Sequence, residues 1–207
     1  AVTSCYLRAV RRRIVPLGCL LAALAPGGDA VAFPYVMKSG ETVADVAARF
    51  YGRVELEKVL IAANSLEGKS TLLPGMRLEI PAVAHHTVGP SDTWDSLADR
   101  YLGLRRRSEA LALANGTMPW LPPQVGREII VPYNLRVVAK KSDTVTSLAY
   151  RYMRARDDAY VLARYNDLGD DPVRDGDTLL VPLWQIELTL EGKETAKSGL
   201  AFAESEG

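Results

Sequence analysis

The chain has 207 residues, 48% of them apolar and 24% charged, which is the balance of a folded globular protein and excludes a disordered one. Its formal net charge is zero, but Arg8, Arg11, Arg12 and Arg13 stand against Asp29 alone in residues 1–32, so the remainder is slightly acidic. That distribution argues against a polyanion partner, since nucleic-acid binding rests mainly on phosphate neutralisation by Lys and Arg.

The chain opens on a leader. Arg8 to Arg13 make a positive segment, Ile14–Ala25 is a short apolar run, and Ala30-Val31-Ala32 supplies small residues at a signal-peptidase spacing. Residues 1–32 therefore read as a secretory signal, cleaved after Ala32, and the run is too short to span a bilayer, which takes roughly 20 apolar residues. Two alternatives stay open: a lipoprotein box at Pro16-Leu17-Gly18-Cys19, and a buried N-terminal helix. Cys5 and Cys19 both lie in this leader, so the body folds on packing alone, with neither a disulfide nor a thiolate metal site. The adjacent His85 and His86 read as exposed linker residues, since neighbours on a strand point to opposite faces and chelate one ion poorly.

After the leader the chain repeats. Thr42, Thr93 and Thr144 are 51 residues apart, as are Asn64, Asn115 and Asn166; Gly75, Gly126 and Gly176 follow at intervals of 51 and 50. Each copy begins with a strand-like stretch, such as Tyr35-Val36-Met37-Lys38 or Leu135 to Ala139. Each Thr then sits at a helix N-cap, where its hydroxyl accepts from an unpaired first-turn amide, and Asp45 completes a box-like cap in the first copy. A first helix buries Val43, Val46, Ala47 and Phe50; Trp94, Leu97, Ala98 and Tyr101; Val145, Leu148, Ala149 and Tyr152. A second helix turns Leu60 and Ala63, Leu111 and Ala114, Leu162 and Tyr165 inward and ends at the Asn, a residue that tolerates the left-handed conformation. A Gly turn and a strand ending at Pro81, Pro132 or Pro182 close each copy. The expected fold is α+β: three small βααβ modules over 33–81, 86–132 and 135–182, each a two-stranded antiparallel sheet with both helices on one face. Short linkers (Ala82–His85, Tyr133–Asn134) allow the copies to pack together, and 183–207 reads as a tail or linker, or the first turns of a helix.

The unit resembles the LysM domain, whose pattern is a Tyr-x-Val strand, a Gly-Asp-Thr-Leu turn, an Ile-Ala helix, an Asn after the second helix and a Gly-x-x-Leu-x-Ile-Pro strand. The first copy carries Tyr35-x-Met37, Gly40-Glu41-Thr42-Val43, Val46-Ala47, Asn64 and Gly75-x-x-Leu78-x-Ile80-Pro81. Ser91 and Ser142 replace the turn Gly, so a positive φ there would leave the later turns strained or differently shaped. Glu41 replaces the usual Asp, and His86 stands where Tyr is usual. The resemblance implies a shallow groove for N-acetylglucosamine polymers between the strand-to-helix turn and the loop after the second helix. By position it implies Gly40, Glu41, Thr42, Val43, Asn64, Ser65 and Leu66 in the first groove. It implies Asp92, Thr93, Trp94, Asn115, Gly116 and Trp120 in the second, and Asp143, Thr144, Val145, Asn166, Asp167 and Leu168 in the third.

Trp120, in a proline-stiffened loop, reads as either a sugar platform or a plug in the core or the next copy, with the plug favoured. Trp94 reads as core. No paired carboxylates, nucleophile–base set or phosphate loop stands out. The cluster Asp167, Asp170, Asp171, Asp175 and Asp177 lacks calcium-loop spacing and reads as a solvated turn. The expectation is thus a non-enzymatic, cofactor-free and metal-free protein of the periplasm, cell envelope or extracellular space, with peptidoglycan or a chitin-like polymer as partner. No transmembrane segment remains once the leader is removed. The alternatives are a scaffold of degenerate modules with protein partners, or a cell-wall hydrolase lacking its catalytic domain.

Overall fold

The computed structural model describes residues 32–68, 73–169 and 172–205, with side chains as far as residue 198. The arginine-rich leader with Cys5 and Cys19, and Asp170 and Asp171 of the acidic cluster, lie outside the described residues. Three strand–helix–helix–strand segments follow one another. The first is β1 (Ala32–Val36), α1 (Val43–Tyr51), α2 (Glu57–Ala63) and β2 (Arg77–Pro81). The second is β3 (Ala84–Thr87), α3 (Trp94–Leu102), α4 (Ser108–Ala114) and β4 (Glu128–Val131). The third is β5 (Tyr133–Val138), α5 (Val145–Leu148), α6 (Ala159–Tyr165) and β6 (Thr178–Leu183). A last helix, α7 (Leu190–Ser205), closes the chain. No helix among the described residues is long and apolar enough to cross a membrane.

The strands pair antiparallel, β1 with β2, β3 with β4 and β5 with β6, and among the described residues no sheet has a third strand. Ala84, His85, Tyr133 and Asn134, expected in linkers, belong to β3 and β5, and β6 runs past Pro182 to pair Leu183 with Tyr133. Pro182 therefore lies inside the third ladder, opposite Asn134, rather than at its end.

Each first helix begins with a full capping box. Thr42, Thr93 and Thr144 have extended backbones and accept from the amides of Asp45, Ser96 and Ser147, whose side chains accept in return from the cap amides. Gly52 and Gly103 end α1 and α3 in the left-handed conformation. In the third segment α5 widens into a π-type turn over Ala149–Met153, and Arg154 takes that left-handed position at φ 68°. Behind the caps, Val46, Ala47 and Phe50 of α1, Leu97 and Ala98 of α3, and Leu148 and Ala149 are all but inaccessible.

The segments are packed together. Buried residues of the first and third form one continuous cluster, joined where α2 lies against β5. The second keeps its own cluster, into which α6 inserts Tyr165. The tail is no free linker. Ile186 and Ala196 are buried, the Thr189 amide donates to the Phe50 carbonyl (2.8 Å), and its hydroxyl donates to the Arg49 carbonyl (2.7 Å). A Cβ on Gly192 would stand 2.9 Å from that Phe50 oxygen, so α7 reaches α1 this closely only through a glycine.

Candidate functional site

The turn leading into each first helix is built alike from unlike residues. Glu41, Asp92 and Asp143 each donate a backbone N–H to the carbonyl three residues back, and each carboxylate accepts from the amide of that residue: Lys38 (3.0 Å), Gly89 (2.8 Å) and Lys140 (2.9 Å). Gly40 has φ 79°, whereas Ser91 and Ser142 are not at positive φ, so the later turns are differently shaped rather than strained.

Each carboxylate is held by a basic or aromatic anchor, Tyr35 and His86 from the strands and Arg49 and Arg151 from the helical stretches. Arg49 lies 2.7 Å from Glu41, which also accepts the Tyr35 hydroxyl proton (2.8 Å). His86 Nε2 lies 2.7 Å from Asp92, with the Tyr101 hydroxyl 2.9 Å from its Nδ1. Arg151 donates to Asp143 at 2.7 Å. The His86 hydrogen bond, with the Gly89 amide, holds the Asp92 carboxyl below the usual carboxylate range. Burial pushes the Asp143 carboxyl up, but Arg151 and the Lys140 amide outweigh it, and it too lies low. His86 is therefore a half-buried clamp in the place of Tyr35, not an exposed linker residue. The signal was available in its 51-residue offset from Tyr35.

Asn64, Asn115 and Asn166 are corrected too. None is left-handed; their φ values are −103°, −101° and −104°. The residues after them, Ser65 (51°), Gly116 (66°) and Asp167 (59°), make the left-handed turn. Each Asn amide instead acts as an extra strand residue. Asn115 Nδ2 donates to the Leu111 and Ile130 carbonyls and its Oδ1 accepts from the Ile130 amide, all at 2.8 Å. Asn64 does the same with Leu60 and Glu79, and Asn166 with Leu162 and Leu180.

This changes which residues of each expected groove are open to solvent. The side chains of Glu41, Val43, Leu66, Trp94 and Asp143 are turned inward, and Asp92 and the three Asn residues are engaged internally. Exposed on the first groove are Gly40, Thr42 and Ser65; on the second, Thr93, Gly116 and Trp120; on the third, Thr144 and Asp167, with Val145 and Leu168 half-buried. Trp94 cannot present a ring face: its indole N–H donates to the Leu121 carbonyl at 2.7 Å, tying turn to loop. Trp120 is 76% exposed on that tied loop, beside exposed Met118 and Leu121, so the expected plug is not seen. A large aromatic held open to water signals a contact surface.

The third loop is tied to the second segment. Arg106 pairs with Asp167 at 2.8 Å, Arg107 lies 4.6 Å from the centre of the Tyr165 ring, and Arg164 pairs with Glu109 at 2.8 Å. These contacts join α6 to the second segment. Asp177 is likewise a turn residue, accepting from the Arg174 amide.

Comparison with known proteins places part of this geometry in a family. Esterase MT1326 and Esterase Rv1288, from two strains of Mycobacterium tuberculosis, are each 30% identical over 147 residues, which is 71% of this chain and 32% of theirs. The chain thus spans about a third of the length of these relatives. The spore cortex-lytic enzyme SleL of Bacillus megaterium QM B1551 is 26% identical, over 55% of this chain and 24% of its own, at a TM-score of 0.24. The ectodomain of a receptor like kinase is 16% identical, over 73% of this chain and 90% of its own, at 0.23. Scores this low carry no argument. Residues 35–81 match the LysM domain family, and this stretch of the chain is a LysM domain.

Proposed function

We propose that the chain is an exported, non-catalytic glycan-binding protein whose three segments are tandem LysM modules. They hold N-acetylglucosamine polymers, peptidoglycan or a chitin-like chain, in the cell envelope. The LysM domain at residues 35–81 carries the reading. In support, the Thr cap, the Asn clasp and the Gly turn of that domain recur at offsets of 50 or 51 residues in the other two segments.

The chemistry suits an acetamido sugar. Amides and carbonyls of the turn and loop pair with the acetamide, and the exposed Trp120 face takes sugar C–H groups. A hydrogen bond contributes about 0.5–1.5 kcal/mol net, so one groove binds weakly. Two grooves on one polymer raise apparent affinity by about 10²–10⁴ where geometry lets both engage. The first two grooves are the binding ones in this reading, and the third serves assembly.

The test is retention of the whole chain on insoluble peptidoglycan and on chitin, with elution by chito-oligosaccharides. Passage through both unretained would overturn the proposal. The likeness to the esterases favours a second reading, in which these residues are the wall-attachment part of an ester-cleaving protein. Under either reading the residues themselves turn over no p-nitrophenyl ester, and measurable turnover would contradict both.

A further inference from the structure

A cleft of about 510 Å³ lies between α2 of the first segment and the start of the helical stretch of the third. That volume falls within the roughly 300–1,000 Å³ of small-molecule sites. Lys58 comes from one side; Thr144, the cap residue of the third segment, with Thr146, Ser147, Tyr150, Arg151 and Arg156, comes from the other. Arg151 is bound to Asp143 at 2.7 Å, and nearby Arg154 to Glu55 at 3.3 Å. Lys58 and Arg156 have no carboxylate within 4 Å among the described residues. Burial, then Arg154, hold the Lys58 ammonium below the usual lysine range, with Glu55 opposing and Arg151 adding to the fall. The Arg156 guanidinium stands 5.3 Å from the centre of the Tyr150 ring, which keeps it at the rim.

Packing the two segments together thus brings Lys58 and Arg156, neither of them in an ion pair among the described residues, to one cleft. Thr146 and Tyr150 add hydroxyls to that cleft, while the Ser147 hydroxyl is engaged in the capping box. Hydroxyls suit sugar hydroxyls, and an ammonium and a guanidinium lining one cleft suit a carboxylate. We propose that this cleft binds a carboxylate-bearing unit of an acidic glycan. The inference rests on the glycan-binding reading and narrows it toward anionic polymers.

The test follows backbone amide signals of the whole chain during titration with three probes. These are neutral chitohexaose, peptide-free peptidoglycan strands with free lactyl carboxylates, and oligogalacturonate, which has carboxylates but no acetamido groups. The stripped strands should bind roughly threefold to tenfold more tightly than chitohexaose, as two exposed ion pairs allow. The preference should vanish at about 0.5 M salt and in the Lys58→Gln/Arg156→Gln double variant. Oligogalacturonate should move the Thr146 and Ser147 amides in the wild type only. Equal affinity for the acidic and neutral acetamido polymers, or a preference that survives the double substitution, would overturn the proposal, as would oligogalacturonate leaving those amides unmoved. Oligogalacturonate binding at the cleft by a chain that ignores both acetamido polymers would support the cleft and contradict the glycan-binding reading instead.

Discussion

The second and third segments share a skeleton and put it to different uses. Both have a Thr capping box, a carboxylate-locked turn and an Asn clasped to the closing strand. In the second, the loop after the clasp lifts Trp120 into water. In the third, the matching loop is pinned by Arg106 and Arg107, and α6 inserts Tyr165 into the neighbouring core. The difference lies in the residues that no part of the skeleton needs. A fold held by backbone clasps leaves its loops free to bind a ligand in one copy and a neighbour in another.

Five substitutions bear on that comparison. The largest effect is expected at the clasp. Asn115→Ala and Asn166→Ala each remove three hydrogen bonds and leave a strand amide unpaired, a loss of about 2–4 kcal/mol in chemical denaturation. Should one of them prove silent, the skeleton is not shared. Next is Trp120→Ala, which should weaken glycan retention about tenfold, as truncating an exposed aromatic anchor does. The denaturation midpoint should stay put, and a large fall would mean the ring supports the fold. Arg107→Ala should do the reverse. It removes a cation–π contact and a bond to the Tyr165 carbonyl, costing about 1 kcal/mol without changing glycan affinity.

The smallest effect concerns Asp158, which occupies the position of core Leu56 in the first segment and of Arg107 in the second. Its Oδ2 is buried with no hydrogen-bond partner, and burial, then Asp157, raise its pKa. The folded state therefore binds this proton more tightly than the unfolded one, and the carboxyl destabilises the fold at neutral pH. Asp158→Asn should add about 0.5 kcal/mol at pH 7, small because the carboxyl stays partly wet. The gain should fade as pH falls through the raised folded-state pKa and be gone below the unfolded value. A gain that is flat with pH would mean that charge is not its cause.

How much of this was legible in the residues follows from range. The caps at Thr42, Thr93 and Thr144, the inward faces of the first helices and the antiparallel strand pairs depend on neighbours a few residues apart or on a repeat, and the spacing carries them. The role of Asn64, Asn115 and Asn166 was misread because a helix-end Asn has a familiar local use. Its partners here are strand atoms 14 or 15 residues on. His86 was misread because the pairing that draws it into β3 comes from Ile129. Trp120 and Asp167 differ only through contacts between segments, and α7 docks on α1 across about 140 residues. No pattern within one copy encodes those.

The most direct test of the account maps chitohexaose onto the whole chain by amide shift perturbation. The account predicts movement at Thr93, Gly116 and Trp120, and stillness at Asp167 and Leu168. Movement of the third loop to the same extent, or a second loop that does not respond, would contradict it.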